Sequence, residues 1–509
     1  MEGITSNNKR IAKNSIILYF RMIVIMVVTL YTTRVVLRVL GSSDYGIYDV
    51  VGGVIGMLGY FNTILSGGVA RFLSISIGKG DVNHSRITFA LCNTIALIGA
   101  IAVLVFGETI GLWFVDTKLN IPPDRHFAAI IVYQCAIASA VLSLIQMPYS
   151  AGIIAHEDMS VYGYMAIVDA ALKLAIVYLL TVSSSDSLIL YGILLFAVNL
   201  LGFIIYRTYC AVKYKETTFS LSFNRKELSE ILSYSGWTTI GAFAGILNNY
   251  GITLLLNIFF GTIVNAARGV SAQINIAVHK IYGTFQTAAK PQIFKYYSQG
   301  DIRSMSALIC NTSKYSAFLT LMIIIPIGVH IAGVLVIWLG KNVPEYTTEM
   351  TRCMTIQSLF LATDLPIGTG IQAVGKMKLP NLTSSFLYLI VFPLAYIAFK
   401  FGGSPIVGYL VFISCSPLIL IVDLLILRNY VGFSIRYYLK TVILPIVKVF
   451  LLAMIVPCLL EMFALSNNIW IDTLLKVSAS LVYVAIIEFY FGMTSELRNK
   501  VLLIICKYV

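Results

Sequence analysis

Charged residues are scarce in this chain of 509 residues. Asp, Glu, Lys and Arg make up only 12% of the sequence, whereas soluble domains carry roughly 25%. Apolar residues account for 58%, and the mean hydropathy is +0.87. So little charge cannot cover the surface of a soluble protein of this length. The composition therefore excludes an ordinary soluble fold and indicates an all-α polytopic membrane protein.

Motifs for metal binding and catalysis are also lacking. The eight cysteines stand singly, with no CxxC pair and no Cys/His cluster. The sequence contains no Walker A pattern, no HExxH and no G-x-S-x-G. The loops between apolar segments are too short to form a catalytic domain. We expect no cofactor, no metal and no enzymatic activity, and we interpret the cysteines as small apolar residues.

Long apolar segments fill most of the chain. At about 20 residues for each membrane crossing, they predict about fourteen transmembrane helices. The first apolar run, 16–36, follows Lys9, Arg10 and Lys13 and is too long for a signal peptide, so we expect an uncleaved first span. The predicted spans are residues 15–37, 46–69, 88–114, 127–147, 160–181, 187–206, 234–258, 265–289, 315–339, 351–373, 380–400, 405–427, 441–463 and 470–491.

The distribution of basic residues predicts the orientation of these spans. Most of the 36 Lys and Arg residues fall in alternate loops, on the same side as the N-terminus. Because basic loops stay in the cytoplasm, we expect a multi-pass protein with both termini cytoplasmic. The net charge of +13 is then a topology signal. Nucleic acid is not an expected partner.

The two halves of the chain resemble each other. With a shift of 220 residues, Gly41 aligns with Gly261 and Gly80 with Gly300. A shift of 218 aligns MPYSAGIIAHEDM (147–159) with LPIGTGIQAVGKM (365–377). The repeat predicts two six-helix lobes related by a pseudo-two-fold axis along the membrane normal, because an even number of spans starts both lobes on the same face. The predicted domains are an N-lobe (1–215), a C-lobe (216–430), and two extra helices with a cytoplasmic tail (431–509).

Polar side chains form a stripe on predicted span eight. At 100° per residue they share one face over about 33 Å, close to the thickness of a bilayer. The members are Arg268, Ser271, Asn275, His279, Tyr282, Gln286 and Lys290. A stripe this long cannot face lipid, so it lines a hydrated central cavity or forms a polar seam between helices. We favour the cavity, because Asn249 of span seven and Arg21 of span one lie on matching polar faces.

The charges of these residues indicate the kind of cargo. The cavity is predicted to be cationic, and the planar guanidinium of Arg268 can bind two oxygens of one phosphate. Hydroxyl and amide groups suit sugars, so we expect an anionic, polar cargo. Asp364 and Asp423 lie mid-span, where ionisable groups usually mark a pathway, and are candidate ion-coupling residues. Asp169 and Lys173 are one helical turn apart and are expected to neutralise each other.

Four stretches are similar to a known family. NSIILYF (14–20), RVLGSSDYGIYDVVGG (38–53), SISIGKGD (74–81) and MPYSAGIIAHEDM resemble bacterial polysaccharide flippases of the Wzx type, which share a superfamily with the MATE drug exporters. The resemblance implies an inner-membrane protein that flips undecaprenyl-diphosphate-linked oligosaccharides to the periplasmic leaflet by alternating access, for O-antigen lipopolysaccharide, capsule or exopolysaccharide. By position, Arg21 and Arg268 match the cationic residues that hold the diphosphate. The implied partners are this lipid-linked oligosaccharide, membrane lipids, and a polysaccharide polymerase with its chain-length machinery.

Two other functions remain as alternatives. A MATE-type antiporter of organic cations would have more buried carboxylates than buried cations in its cavity, the opposite of the cavity predicted here. A membrane-embedded polymerase or ligase that acts on the same lipid would need a sizeable outer loop, which the sequence lacks.

Overall fold

The structure, a computed structural model, describes residues 25–56, 82–156, 158–223, 250–340, 342–376 and 378–493, with isolated positions at 69, 73, 76, 77 and 498. These residues are helical or lie in short connections, and none of them forms a strand. Helices satisfy the backbone hydrogen bonds within each segment, which the interior of a bilayer requires. The predicted all-α fold class is confirmed. Two predicted site residues, Arg21 and Asn249, lie outside the described residues.

Contacts divide the chain into two compact units, Met1–Ala266 and Ala267–Val509. In the first unit, α3 packs along α5, α2 packs against α3, and α4 contacts α5. Its helices are α1 (Ile25–Gly56), α2 (Val82–Thr117), α3 (His126–Ala155), α4 (Met159–Val182), α5 (Ser187–Lys213) and α6 (Ile252–Phe260).

The second unit is built around α8 and α10. The helix α10 packs against α8 and α12, while α11 packs against α12, and α13 and α14 pack against each other and against α8. The helices are α7 (Thr262–Ser298), α8 (Ile302–Val329), α9 (Ile331–Leu339), α10 (Thr347–Val374), α11 (Lys378–Lys400), α12 (Val407–Val431), α13 (Ile435–Glu461) and α14 (Ile469–Gly492). The division between units falls inside α7, after Ala266.

The helix pairing supports the internal repeat. The pairs α2–α3, α3–α5 and α4–α5 of the first unit correspond to α8–α10, α10–α12 and α11–α12 of the second. Local features recur as well: Gly41 and Gly261 have φ of 75° and 82°, and Pro148 and Pro366 lie inside α3 and α10. The lobe boundaries at 215 and 430 remain predictions.

Within the described ranges, nine helices are long and apolar enough to cross a membrane, which makes this a multi-pass membrane protein. They are α1, α2, α3, α5, α8, α11, α12, α13 and α14. Three long helices, α4, α7 and α10, are not among them, and of these α7 and α10 carry many polar residues. What these two polar helices contact therefore decides whether they can lie in a bilayer.

An arginine ties three helices of the first unit together. Arg125 donates to Asp44 on α1 through Nε (2.9 Å) and Nη2 (2.5 Å), and to Asp186 through Nη1 (2.6 Å) and Nη2 (3.0 Å). Asp186 also caps α5, since its Oδ1 accepts from the backbone N–H of Leu188 (3.0 Å). The hydrogen bonds from Arg125 lower the pKa of the Asp186 carboxyl. The cluster joins α1, at Asp44, to the N-terminal ends of α3 and α5.

Gly261 generates a prediction about stability. Its φ of 82° and ψ of −170° are adopted readily only by glycine, so Gly261→Ala should cost about 1–3 kcal/mol. The control is Gly368→Ala within α10, where an added Cβ meets nothing within 4 Å. We expect a lower thermal midpoint for the purified Gly261→Ala protein and an unchanged or higher one for the control. Equal midpoints would contradict the strain at Gly261.

Candidate functional site

The helix α7 carries the predicted polar stripe without interruption. Its members differ in burial along the helix. Arg268, Ser271 and Tyr282 are buried, Asn275 and Gln286 are half-buried, and His279 and Lys290 are exposed. Ser271 and Tyr282 have no exposed surface at all (0%), so they do not line an open cavity in this conformation.

Polar atoms of the stripe bind α10. Ser271 Oγ accepts a hydrogen bond from Thr351 Oγ1 (2.9 Å). Asn275 Nδ2 donates to Ser358 Oγ (2.8 Å) and to the carbonyl oxygen of Met354 (2.8 Å). Residues later in α7 bind residues later in α10, so the two helices run parallel. This agrees with the predicted topology, in which they are spans eight and ten and cross the membrane in the same direction. We call this set, with Gln286 and Ala362, the α7–α10 seam.

Gln286 supplies a hydrogen bond that the backbone of α10 lacks. Pro366 has no backbone N–H, so it cannot donate to the carbonyl oxygen of Ala362 four residues earlier. Gln286 Nε2 donates to that oxygen instead, at 2.9 Å. The next carbonyl, of Thr363, accepts from Ser313 Oγ (2.9 Å) and Tyr438 Oη (3.0 Å). Side chains of three neighbouring helices therefore satisfy the backbone at the proline, which is how proline is tolerated in a membrane.

For Ser271, Asn275 and Gln286, the structure thus describes the interhelical seam that the sequence left open as an alternative. Contact between these three residues and a cargo stays a prediction. The exposed members, His279 and Lys290, have surface available to a ligand. The rings of His279 and Tyr282 meet edge to face, with centroids 4.9 Å apart, so the exposed imidazole rests on a buried phenol.

Two carboxyl groups of the second unit interact electrostatically. Asp364 on α10 and Asp423 on α12 lie close enough for their charges to interact. Ser384 Oγ on α11 donates to Asp423 Oδ1 at 3.1 Å. The Oδ1 atom of Asp364 is buried and has no hydrogen-bond partner among the described residues. Two adjacent carboxylates in a buried place repel each other, so a proton or a metal cation between them would be stabilising.

The acidic pair and the seam share α10. Asp364 follows the Ala362 carbonyl that Gln286 binds by only two residues. Tyr388 on α11 also lies near both carboxyls. A change in the charge of the pair therefore acts on the helix that holds the stripe.

One further pair agrees with its sequence interpretation. Lys173 Nζ lies 2.7 Å from Asp169 Oδ2, one turn apart on α4, and both side chains are about half exposed. The predicted mutual neutralisation is confirmed.

The residues that complete the site were not predicted from the sequence. Thr347, Thr351 and Ser358 share one face of α10, and a helical-wheel analysis of that span would have found them, as it found the stripe on α7. Ser384 and Tyr388 are also one turn apart on α11. No local signal shows that this turn lies against Asp423, because the contact depends on how α11 and α12 pack.

Comparisons with known proteins agree on the architecture. Lipid II flippase MurJ, in an inward closed conformation, superposes with a TM-score of 0.67 at 14% identity, over 93% of this chain and 98% of that chain. An inward-facing multidrug resistance MATE family transporter of the MOP superfamily gives a TM-score of 0.66 at 14% identity, over 80% of this chain and 94% of that chain. The chain has the MATE and MurJ transporter fold. At this identity, the likeness establishes the fold alone.

Sequence comparison adds one relative. An uncharacterized membrane protein of Bacillus subtilis (strain 168), EpsK, is 21% identical over 329 residues, which span 63% of this chain and 63% of that protein. No protein-family profile matches the chain.

Cysteine labelling tests which stripe residues reach water. In a cysteine-free background, His279→Cys and Lys290→Cys should react with a charged, water-soluble maleimide at least roughly tenfold faster than Ser271→Cys and Tyr282→Cys, because thiol reactivity follows exposure. The buried pair lies on the same helix and serves as the control. If His279→Cys stayed unmodified while Lys290→Cys reacted, His279 would face lipid rather than a hydrated cavity.

Proposed function

We propose that the protein moves undecaprenyl-diphosphate-linked oligosaccharides from the cytoplasmic to the periplasmic leaflet of a bacterial inner membrane, by alternating access. The observation that carries this proposal is the likeness to a lipid II flippase along almost the whole length of both chains. A lipid-linked glycan suits a fold that includes the two helices, α13 and α14, beyond the twelve of the predicted repeat.

The chemistry of the stripe supports an anionic, sugar-bearing cargo. A diphosphate cannot enter hydrocarbon without a counter-charge, and a desolvated guanidinium forms strong charge-assisted hydrogen bonds with phosphate oxygens. Arg268 is buried at the start of the stripe, and Lys290 is exposed at its other end. In this proposal, Arg268 and Arg21 hold the diphosphate. The proposed contacts to polar parts of the cargo are Asn249, Ser271, Asn275, His279, Tyr282, Gln286 and Lys290.

Some of these residues can contact the cargo only when the α7–α10 seam opens. The amides of Asn275 and Gln286 are engaged with α10, whereas the polar cargo offers hydroxyl groups that can replace those partners. The exchange costs little free energy when a cargo hydroxyl also donates to the Ala362 carbonyl, which Pro366 leaves without a backbone donor. Alternating access then includes a state in which α7 has separated in part from α10.

The acidic pair supplies a driving force in this proposal. Binding of H⁺ or Na⁺ at Asp364 and Asp423 removes the repulsion between them and changes the packing of α10 against α12. Through Gln286, that change reaches the stripe. Consumption of the flipped product by a polysaccharide polymerase and its chain-length machinery would pull the cargo in the same direction.

A second candidate function is a MATE-type antiporter of organic cations. It is favoured by the paired carboxyls of Asp364 and Asp423 and by the MATE likeness. The two functions differ in the charge of the cargo. An antiporter would protect cells against organic cations, and its deletion would leave lipid-linked glycans at normal levels.

Arg268 tests the charge of the cargo. Arg268→Ala should abolish polysaccharide export, with accumulation of the lipid-linked repeat unit, because the buried counter-charge is lost. Arg268→Lys should restore export in part, since the charge remains and the planar fork is lost. The matched control is Lys295→Ala, an exposed cation on α7 that lies about 180° from Arg268 on the wheel.

Each variant is compared at equal membrane abundance and with its thermal midpoint, because Arg268 is buried and its loss could unfold the protein. Normal export by a stable Arg268→Ala protein would refute the diphosphate role. Loss of resistance to organic cations, with normal glycan export, would favour the antiporter.

The driving force is tested in vesicles. Asp364→Asn and Asp423→Asn should make transport insensitive to collapse of the H⁺ and Na⁺ gradients, because a neutral side chain no longer gains or loses a cation. Wild-type transport should fall when the gradients collapse. Asp169→Asn, which removes an exposed carboxylate paired with Lys173, is the control and should keep the wild-type response. Gradient-independent transport by the wild-type protein would exclude coupling at the acidic pair.

A further inference from the structure

A groove with mostly apolar walls lies in the second unit, between α8, α10 and α13. Its volume is about 470 Å³, which falls within the usual range for small-molecule sites, roughly 300–1,000 Å³. The apolar lining includes Ile324, Ile325, Val329, Ile356, Phe450 and Met454. None of the residues that form the stripe or the acidic pair lines this groove. It is therefore a separate candidate site, suited to a hydrocarbon chain.

Two side chains of opposite charge line this groove. The first is Arg352, one turn into α10, whose side chain is exposed. Its Nε donates to the carbonyl oxygen of Gly328 (3.0 Å) and its Nη2 to that of Val329 (3.4 Å). These bonds to the C-terminal end of α8 hold the guanidinium plane in place. Nη1 has no protein acceptor among the described residues and remains for an anionic ligand.

The second charge is Glu461, the last residue of α13. Its Oε2 lies 2.5 Å from His330 Nδ1, and His330 Nε2 lies 2.9 Å from Ser480 Oγ on α14. The imidazole is almost fully buried (1% exposed), whereas the Glu461 side chain is 45% exposed. One carboxylate oxygen is thus fixed by a buried side-chain relay, while the carboxylate keeps surface for a cationic ligand.

We propose that this groove binds a zwitterionic aminophospholipid of the surrounding membrane. An acyl chain fills the apolar groove, the phosphate binds Arg352, and the primary ammonium binds Glu461. Charge complementarity selects this occupant. A lipid with only a negative headgroup satisfies Arg352 but meets the carboxylate of Glu461, and a quaternary ammonium has no N–H to donate to it. The site and its ligand are distinct from those of the proposed transport function.

The test measures binding of defined lipids to the purified full-length protein in detergent, by native mass spectrometry. Phosphatidylethanolamine, phosphatidylglycerol and phosphatidylcholine with identical acyl chains are titrated, together with a polyprenyl phosphate. We expect phosphatidylethanolamine to bind up to about fivefold more tightly than phosphatidylglycerol, the size expected of one partly exposed ion pair.

Two substitutions assign the charges. Glu461→Gln should remove the preference for phosphatidylethanolamine over phosphatidylglycerol while it retains an oxygen for the hydrogen bond to His330. Arg352→Gln should weaken binding of both lipids by similar factors, because both carry the phosphate. The control is Glu349→Gln, an exposed carboxylate one turn before Arg352 that does not line the groove, and it should change neither affinity.

The exposed thiol of Cys458 gives a second readout, because it lines the groove. Its alkylation by a maleimide should slow when phosphatidylethanolamine is added, and should not slow for Arg352→Gln at the same lipid concentration. Equal affinity of the wild-type protein for the two lipids, an unchanged preference in Glu461→Gln, or tighter binding of the polyprenyl phosphate would each overturn the proposal. Since binding is measured without transport, failure here leaves the proposed function untouched.

Discussion

Every polar group that enters the hydrocarbon must find its partner inside the protein, and here the seam between α7 and α10 meets that requirement. These are the two long helices whose polar content is too high for them to stand alone in lipid. Each helix allows the other to lie in the bilayer, because amide and hydroxyl groups of α7 bind hydroxyl and carbonyl groups of α10. Single hydrogen bonds of this kind contribute only about 0.6 kcal/mol in a membrane, so the seam can open and close.

The helix α10 is therefore the element on which the sites of the second unit converge. It carries Arg352 at the apolar groove, the residues that bind α7 in the seam, and Asp364 of the acidic pair. Pro366 interrupts its backbone ladder next to Asp364, and the freed carbonyl is held by Gln286. A proline kink is a place where a helix can bend at low cost. Asp364, Pro366 and the carbonyl of Ala362 that Gln286 binds thus lie within about one turn of α10.

Local sequence patterns anticipated much of this. The repeated pieces located Gly41 and Gly261, and both have the positive φ that glycine tolerates. They also located Pro148 and Pro366 inside equivalent helices. The wheel of span eight identified the correct face of α7. It did not identify the residues that this face contacts, because a helical wheel describes one helix and contains no information about neighbouring helices. All seven stripe residues were thus found, but the interhelical partners of Ser271, Asn275 and Gln286 and the burial of Arg268 and Tyr282 were not.

Hydropathy and periodicity are properties of short windows, so the sequence by itself determined the helical class, the multi-pass membrane location, the duplication and the polar face of α7. Tertiary structure alone decided which polar groups meet. His330 lies 131 residues from Glu461 and 150 residues from Ser480 along the chain, so no local window contains the three together. Asp364, Ser384 and Asp423 are closer in sequence but belong to three different helices. The physical reason is that a hydrogen bond or ion pair depends on the packing of whole helices against one another, whereas the tendency to form each helix is encoded within its own residues.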